Sequence, residues 1–528
     1  MVVMAFKVLP TFVLLFAAVD ASRILAAIPT ASFSHQVFYR PLWKELAKRG
    51  HEVTLVTTDP MKDPTLKNLT EIDVSVAYDY KQNENMQEIF ESDKTMAIHK
   101  MIEILYKNTR LYFGHKDVKN LFLDKSITFD LVMIECVFPS SFAFAHRFDA
   151  PVICLTSLDA HYIIHAAMGN PTHHILYPNF LLPVGNPMSF TDRLLTVIAM
   201  NVLTAYMDYW VYPEVRKILD EEIQDEKSVM PESSQMFDKI DMVFTNTNPL
   251  FNAVRPYSPA TISLAGGLHE TSTKPLPKDL QDFLDGATEG VIYFSLGSNV
   301  KSKDISTKLR QQIIAAFEEL PHKILWKFEA DTLPNQPKNV KIVKWLPQQD
   351  VLRHKNVKLF ITQAGMQSLE EALFARVPMV AIPFFGDQDV NAQRMAQKGL
   401  GLTLNHKTMS KSDFKLAILE VIHNKKYKNR VVEVASMIQD LPMKPLEQAV
   451  WWTEYVLRHK GAGHLKGPQI PLWQYYYLDV FAVIGVVLGV ILLIFIKVTC
   501  YVKRFICGMV NKNMKASIKT KKSKSKKE

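Results

Sequence analysis

One stretch, from Phe360 to Asn391, reads as two strand-containing units that end at the same edge of a parallel sheet. It runs as a buried strand, a turn of small residues, an amphipathic helix, a second buried strand and a polar loop. Ligands of α/β sheets bind beyond the carboxyl ends of the strands, and both ends here carry polar clusters. The clusters comprise Gln363, Ser368 and Glu371 after the first strand, and Asp387 and Gln388 after the second.

The first cluster has the features of a site for a nucleoside diphosphate. Ala364 and Gly365 let the backbone approach a ligand closely, and a helix beginning near Ser368 offers unpaired N–H groups to phosphate. Glu371, one turn into that helix, can accept hydrogen bonds from the vicinal hydroxyls of a ribose. A structural alternative stays open, because Ser368-x-x-Glu371 is also the pattern of a capping box.

The second cluster has the features of a sugar site. Asp387 and Gln388 can pair with the hydroxyls of a hexose. Asp387-Gln-Asp389 is also a D-x-D triplet, and paired carboxylates can hold a divalent cation beside a diphosphate. A lone triplet is weak support for a cation, so direct sugar contact is the prediction and no metal is expected.

These motifs resemble those of the UDP-glycosyltransferases, and the similarity extends over nearly the whole chain. It includes Tyr293-Phe-Ser-Leu-Gly-Ser298, Trp345-Leu-Pro-Gln348 and Ser34-His35. Leu264-Ala-Gly-Gly-Leu268 followed by Lys274-Pro-Leu-Pro277 is most similar to the arthropod branch. The resemblance implies a GT-B fold, an α/β architecture of two Rossmann-like domains with a cleft between them.

The resemblance also implies the reaction. Glucose from UDP-glucose, a co-substrate, would be transferred to a hydroxyl of a small lipophilic acceptor, with inversion to a β-glucoside and without metal or other cofactor. A role in detoxification would follow. The acceptor's identity lies beyond the sequence, although residues 159–231 are expected to shape its pocket, and homo-oligomers are left open.

Site roles carry over residue by residue. His35 corresponds to the family's general base, Trp345 to the residue that stacks on uracil and Gln348 to one that approaches the nucleoside. The remaining donor-site positions are Ser298, Gln363, Gly365, Ser368, Glu371, Asp387 and Gln388. The chain departs from the family pattern at Gln363, where His is common, and at Ala364, where Gly is usual. A neutral amide is expected to bind phosphate more weakly than a charged donor.

A base at His35 requires a carboxylate to orient its ring. His35 is expected in the loop between the first strand and its helix, and an imidazole is suited to proton transfer near neutrality. The family usually has Asp after the strand that reads here as residues 129–135, and this chain has Glu135 instead. Asp130 is expected to face away, so Glu135 is the predicted partner of His35.

The length of 528 residues exceeds what one core normally supports, so several parts are expected. The predicted parts are a signal peptide (1–21), an acceptor-binding domain (22–248), a linker (249–289), a UDP-sugar-binding domain with a helix returning to the first domain (290–472), a transmembrane helix (478–500) and a basic cytosolic tail (501–528).

The charge is concentrated at the C-terminus. Residues 497–527 hold 11 Lys or Arg and Glu528 is the only acid, so this tail has a net charge of +10. The whole chain has a net charge of +9, so the rest of the chain, at −1, is close to neutral. Nucleic acid is therefore not an expected partner. The uncharged run from Val480 to Ile496 follows an aromatic belt and precedes the basic tail, which predicts a single-pass type I protein with its catalytic domains in the lumen.

Two further features bear on localisation. Val8 to Val19 followed by small residues reads as a secretory signal, and the final residues resemble a K-x-K-x-x retrieval signal of the endoplasmic reticulum. Asn68-Leu-Thr70 is a sequon, so Asn68 is a predicted glycosylation site. A bridge between Cys136 and Cys154 is allowed but not favoured.

Two alternatives to a metal-independent transferase stay open. One is a membrane-anchored carrier of hydrophobic ligands that has lost transfer, because Gln363, Ala364 and Glu135 depart from the family pattern. The other is a metal-dependent glycosyltransferase that uses Asp387 and Asp389.

Overall fold

A computed structural model describes residues 21–79, 94–179, 184, 187–225, 227–252, 254–270 and 273–524. The predicted signal peptide, apart from Ala21, and the last four residues of the chain lie outside these ranges. The chain divides into two compact units, of which one ends at Gly467 and the other begins at Pro468.

The first unit contains two fully parallel sheets. One has seven strands in the order β3-β2-β1-β4-β5-β6-β7. Its strands are β1 (Arg23–Ile28), β2 (Glu52–Thr57), β3 (Leu69–Asp73), β4 (Leu131–Glu135), β5 (Val152–Thr156), β6 (Ile240–Thr245) and β7 (Thr261–Ser263). The central strands β1, β4, β5 and β6 are almost entirely buried, as expected where helices cover both faces of a parallel sheet.

The second sheet has six strands in the order β10-β9-β8-β11-β12-β13. Its strands are β8 (Val291–Ser295), β9 (Lys323–Lys327), β10 (Val340–Val343), β11 (Val357–Thr362), β12 (Met379–Ala381) and β13 (Gly401–Thr403). Separate hydrophobic clusters pack on the two faces of each sheet. The predicted class, two α/β sheets of parallel strands, is therefore confirmed.

Helices connect the strands and cover both sheets. In the first half they are α1 (Phe33–Lys48), α2 (Lys94–Gly114), α3 (Lys116–Leu123), α4 (Phe142–Arg147), α5 (Tyr162–Ala167), α6 (Phe190–Tyr206) and α7 (Tyr212–Ile223). The second half has α8 (Lys278–Asp285), α9 (Thr307–Glu318), α10 (Gln348–Leu352), α11 (Met366–Phe374), α12 (Gln388–Gln397), α13 (Lys411–His423), α14 (Lys425–Gln439) and α15 (Pro445–His459). The second unit contains α16 (Leu472–Tyr475) and α17 (Leu478–Lys524).

Helix α1 begins earlier than its hydrophobic periodicity predicts. The apolar face starts at Phe38, but the helix starts at Phe33, because the carbonyl of Ser32 already accepts hydrogen bonds from the N–H groups of His35 (3.1 Å) and Gln36 (3.3 Å). His35 therefore lies in the first helical turn, and the expectation that it lies in a loop is wrong.

Strand β12 is shorter than its apolar run. The sequence predicts a strand from Met379 to Phe385, and the strand ends at Ala381. Pro383 has no N–H to continue a ladder. The chain from Ile382 onward is thereby free to turn toward Asp387.

The range assigned to a linker contains ordered elements. Strand β7 extends the first sheet beyond residue 248, and α8 precedes the second sheet. Near the end of this unit α15 packs against α1, and Ala449, Val450 and Val456 join the cluster on that face of the first sheet.

Two of the described helical segments are long and apolar enough to cross a membrane. One is the segment from Leu478 to Lys522, which contains an 18-residue window with a mean hydropathy of 3.0. The helix containing it continues to Lys524, so the described part of the predicted cytosolic tail is helical. The other segment, from Phe190 to Ile223, comprises α6, a π-helical turn and α7.

The segment from Phe190 to Ile223 has an exposed apolar face. Thr196, Met200 and Val211 are buried, so one side of the segment packs on the first unit. The opposite side exposes large apolar side chains, namely Phe190, Leu194, Leu195, Val197, Ile198, Val202, Tyr209 and Trp210.

Cys136 and Cys154 form a disulfide in the structure, which the sequence did not favour. Cys136 directly follows β4, and Cys154 lies on the adjacent strand β5. Parallel neighbours in this register bring their Cα atoms to 5.6 Å, the separation that a disulfide requires.

Candidate active site

His35 and Glu135 are in direct contact at the carboxyl edge of the first sheet. Glu135 is the last residue of β4, which pairs with β1, and His35 follows β1 in the first turn of α1. Nδ1 of His35 lies 2.5 Å from Oε1 of Glu135. Because a carboxylate only accepts hydrogen bonds, Nδ1 carries the proton and Nε2 is left as the acceptor.

The Glu135 carboxylate is fixed and buried. Its side chain is 0% exposed, whereas that of His35 is 15% exposed, so only the imidazole reaches the surface of the site. The Thr30 hydroxyl donates to the second carboxylate oxygen of Glu135. Burial and, secondarily, the negative charge of Glu135 raise the pKa of Tyr39 and Tyr112. The extra methylene of Glu relative to Asp does not prevent contact with His35.

The segment that carries His35 is bonded to the second sheet's domain. The Ser32 hydroxyl lies 2.9 Å from Nδ2 and 3.1 Å from Oδ1 of Asn299, which follows Ser298 in the turn after β8. Phe33, between Ser32 and Ser34, contacts the Trp345 ring edge to face, with centroids 5.0 Å apart. Segments that follow strands of both sheets therefore touch at the centre of the site.

The turn after β8 requires glycine. Gly297 has a φ of +77°, and a Cβ atom there would lie 2.1 Å from Nε2 of Gln363. The Gln363 amide thus rests directly on the Gly297 backbone beside Ser298. Gln363 follows β11, the neighbour of β8, so the two predicted phosphate-binding segments are adjacent.

Ala364 has an unusual backbone conformation. Its φ of +68° lies in the left-handed region, which costs an L-residue about 1–2 kcal/mol. The conformation is held by two contacts: the Ala364 N–H donates to the Thr362 hydroxyl (3.2 Å), and the Ala364 carbonyl accepts from Nδ2 of Asn391 (3.1 Å). The chain therefore keeps the backbone shape of a glycine turn at a position where it has alanine.

Helix α11 begins at Met366 with Gly365 as its N-cap, and no side chain caps it. The capping-box alternative for Ser368 and Glu371 is therefore wrong, because both residues lie inside the helix. Their side chains instead meet Gln348 at the start of α10. Nε2 of Gln348 donates to the Ser368 hydroxyl (3.0 Å) and to Oε2 of Glu371 (2.7 Å).

Trp345 presents an open ring at the edge of this cluster. Its side chain is 55% exposed, and it lies two residues after the half-buried edge strand β10. The ammonium of Lys327 lies 5.5 Å from the ring centroid and is itself held by the Gly297 carbonyl (2.9 Å) and Glu329 (2.7 Å). The ring is therefore not part of a buried core, and its exposed surface is large enough for a flat base to stack on it.

Asp387 and Gln388 lie on either side of the start of α12. Burial raises the pKa of Asp387, and Asn391, His35 and Arg394 act in the opposite direction. Nδ2 of Asn391 donates to Asp387 (2.6 Å). The Gln388 side chain has a structural use, since its Oε1 accepts from the N–H groups of Phe384 (2.9 Å) and Phe385 (3.2 Å).

The described residues contain no group of three or more His, Cys, Asp or Glu side chains that could hold a metal ion. Asp387 and Asp389 therefore have no third ligand of these types within that part of the chain. Asn68, the sequon residue, is exposed immediately before β3.

Sequence reasoning missed a buried charged group behind the donor-site residues. His269 is 0% exposed; its Nε2 lies 3.5 Å from Oε1 of Glu371, and its Nδ1 lies 3.9 Å from Oε2 of Glu370. Asn246, after β6, donates to Glu370 (2.9 Å) and thereby joins the first domain to this group. The only sequence signal was the position of His269 directly after Leu264-Ala-Gly-Gly-Leu268.

Solved structures with the same architecture are glycosyltransferases. The calicheamicin glycosyltransferase CalG4 superimposes with a TM-score of 0.56 at 18% identity, over 83% of this chain and 99% of that one. The spinosyn forosaminyltransferase SpnP superimposes with a TM-score of 0.54 at 15% identity, over 83% and 100% of the two chains. At these identities the likeness defines the fold, which is the GT-B fold of glycosyltransferases.

The family is established by sequence. The model of the UDP-glucoronosyl and UDP-glucosyl transferases matches residues 23–515, and the chain belongs to this family. UDP-glucosyltransferase 2 of Dactylopius coccus is 33% identical over 98% of each chain. UDP-glucuronosyltransferase 2B17 of Rattus norvegicus is 32% identical over 89% of this chain and 92% of its own. An ecdysteroid UDP-glucosyltransferase of Spodoptera littoralis nuclear polyhedrosis virus is 30% identical over 84% and 89%.

Proposed function

We propose that the protein transfers glucose from UDP-glucose to a hydroxyl of a small lipophilic acceptor, with inversion, and that His35 is the general base. The observation that carries the proposal is the 2.5 Å contact between His35 and the buried Glu135. It leaves Nε2 of His35 able to accept a proton and stabilises the imidazolium that then forms.

The step is an in-line displacement. The acceptor hydroxyl attacks the anomeric carbon, its proton passes to Nε2 of His35, and the bond from that carbon to the UDP oxygen breaks with its electron pair leaving on UDP. Attack and departure on opposite faces convert an α-linked donor into a β-glucoside. No metal is required, because the leaving diphosphate is held by N–H groups, hydroxyls and amides.

The donor residues divide by the part of UDP-glucose that each would contact. Trp345 stacks on uracil, while Gln348 and Glu371, which are joined to each other, face the nucleoside. The diphosphate lies between the turn at Ser298 and the segment from Gln363 to Ser368. Asp387 binds glucose hydroxyls, and Gln388 contributes by holding the loop before it.

Glucose is proposed over glucuronic acid on the basis of the Dactylopius coccus relative, which is named a UDP-glucosyltransferase. A small lipophilic acceptor agrees with the name of the viral relative, an ecdysteroid UDP-glucosyltransferase. We assign acceptor binding to residues 159–231 and to the carboxyl edge of the first sheet, where His35 is accessible.

We also propose that the protein is anchored in the membrane of the endoplasmic reticulum with its catalytic domains in the lumen. The apolar helix α17, the Lys-rich end of the chain and the leader-like first 21 residues support this topology. An exposed sequon at Asn68 agrees with a lumenal location.

Microsomes that express the full chain test the reaction. They are incubated with labelled UDP-glucose or UDP-glucuronic acid and a panel of phenols and steroids, with and without EDTA, and His35→Ala is the inactive control. We expect glucose transfer that EDTA does not inhibit. We also expect NMR to show a β-linked product. Binding of UDP without transfer to any acceptor would favour a carrier, and loss of activity in EDTA would favour a metal-dependent enzyme.

A further inference from the structure

His269 lies at a junction of three segments and faces carboxylates on two of them. Glu270 neighbours it on its own segment, and Glu370 and Glu371 face it from α11. Helix α1 contributes the apolar ring of Phe38, whose centroid is 5.6 Å from that of the imidazole. Arg353, a cation at the end of α10, is paired with Glu270 and Asp350.

Two adjacent and largely buried carboxylates repel each other, so either a positive charge lies between them or one of them takes up a proton. The side chains of Glu370 and Glu371 are only 12% and 11% exposed, so water screens their repulsion poorly. Neither ring nitrogen of His269 has a hydrogen-bond partner of good geometry in the described structure, and the nearest acceptors are these two carboxylates. A neutral imidazole would leave at least one nitrogen facing a carboxylate lone pair, whereas an imidazolium pairs with both residues.

The protonation equilibria of His269 and Glu371 agree with this charge assignment, whereas burial raises the pKa of Glu370 to about 7 although His269 acts to lower it. Burial acts to lower the pKa of His269, yet Glu371, Glu370 and Glu270 outweigh it and raise the pKa to about 9. Burial acts to raise the pKa of Glu371, yet His269, Gln348 and Gln349 hold it below its ordinary value. His269 is therefore a cation at neutral pH and Glu371 an anion.

We propose that His269 is a positioning residue for donor binding, a buried cation that keeps the Glu371 carboxylate ionised and directed toward the ribose hydroxyls. The proposal rests on the proposed function, in which Glu371 contacts the nucleoside. His269 acts through Glu371 and does not itself touch the donor.

The backbone around His269 is held independently of its ring. Nε2 of Gln349 donates to the His269 carbonyl (3.1 Å) and also to Oε1 of Glu371 (3.1 Å). Replacing the imidazole by an amide of similar size therefore removes the charge while these two contacts remain. His269→Gln is accordingly the variant that tests charge.

The experiment compares UDP with 2′,3′-dideoxy-UDP, measured by calorimetry on the full-length protein in detergent. We expect the wild type to bind UDP about tenfold or more tightly than the dideoxy compound, because a buried acceptor without its hydroxyl partner is costly. His269→Gln is expected to shrink this ratio to about two while raising the KM for UDP-glucose and changing kcat little. His322→Gln, at another buried histidine without a partner for Nδ1, is the matched control and should leave the ratio unchanged.

Three further measurements separate the outcomes. His269→Lys keeps a cation at this position, so it should retain part of the preference for UDP over the dideoxy compound that His269→Gln loses. In the wild type the ratio should fall as the pH rises through about 9, because a group with a raised pKa is charged below that value and loses its charge above it. A ratio that stays constant from about pH 7 to about pH 10 overturns the proposal even if His269→Gln fails to fold.

Glu371→Gln distinguishes failure of this inference from failure of the proposed function. If Glu371→Gln keeps the wild-type ratio, Glu371 does not contact the ribose and the proposed nucleoside site is wrong. If Glu371→Gln loses the preference for UDP over the dideoxy compound while His269→Gln keeps it, the proposed nucleoside site is correct and the proposed role of His269 is wrong.

Discussion

Ser32 and Asn299 are hydrogen bonded between the two halves of the active site, with 2.9 Å between the Ser32 hydroxyl and Nδ2 of Asn299. Ser32 ends the segment that leads into the helix of His35, and Asn299 follows the turn beside the proposed diphosphate site. This contact ties the position of the base to the position of the donor-binding turn.

Removing this bond should slow transfer without abolishing it. A neutral hydrogen bond contributes about 0.5–1.5 kcal/mol, so Asn299→Ala and Ser32→Ala are each expected to lower kcat about two- to tenfold. Because they remove the same contact, the double variant should be little slower than either single one. Ser436→Ala, on an exposed face of α14, is the control. Fully multiplicative losses would show that the two residues act separately.

The contact between Glu135 and His35 predicts a loss confined to the chemical step. Glu135→Gln keeps the shape of the side chain but removes the charge that supports the imidazolium, so kcat should fall by about 10²–10⁴ with little change in the KM for UDP-glucose. Steady-state kinetics with both substrates varied provides the measurement. Unchanged turnover in Glu135→Gln, beside an inactive His35→Ala, would show that the dyad assignment is incorrect.

The exposed ring of Trp345 predicts a loss confined to nucleotide binding. Stacking of a base on an aromatic ring is worth about 1–3 kcal/mol, so Trp345→Ala should weaken UDP binding by about 5- to 150-fold. Trp451→Ala is the matched control, because Trp451 is 43% exposed on α15 and no ligand role is proposed for it. Calorimetric titration with UDP measures the affinity of each variant. Equal UDP affinities for Trp345→Ala and Trp451→Ala would show that Trp345 does not contact the nucleotide.

The left-handed conformation of Ala364 predicts a gain in stability. Ala364→Gly relieves a cost of about 1–2 kcal/mol but adds back the entropy of glycine in the unfolded chain, so a net gain of about 0.5–1 kcal/mol is expected. Ala372→Gly, in the regular part of α11, should instead lower stability by about 1 kcal/mol or more. Thermal unfolding in detergent compares them, and a lower midpoint for Ala364→Gly would contradict the explanation from backbone strain.

The central strands were predictable because they are buried on both faces. Continuous apolar runs predict strands at residues 23–28, 129–134, 151–156 and 290–296. The first has the same bounds as β1, and the others agree with β4, β5 and β8 within two residues at either end. The edge strands β3 and β7 were not predicted, since a short or half-exposed strand has no such run. The start of α1 was also missed, because a backbone turn at Ser32 determines it and apolar periodicity does not.

The candidate site was predictable to the extent that it lies at strand ends. The chain order places Gln363 and Asp387 at one edge of the second sheet and His35 and Glu135 at one edge of the first, as observed. Which side chains touch was not predictable. The contact of Gln348 with Glu371, and that of His269 with Glu371, depend on how α10, α11 and the segment before α8 pack in three dimensions.

The apolar face of the segment from Phe190 to Ile223 affects how the first unit can be handled in solution. Deleting everything after Gly467 would remove α17, but Phe190, Leu195, Val202 and Trp210 would remain on the surface of the shortened chain. Such a patch promotes self-association in water. We therefore expect purification of the first unit alone to require detergent or polar substitutions in the segment from Phe190 to Ile223. Truncation removes the apolar helix α17 but leaves this second apolar surface in place.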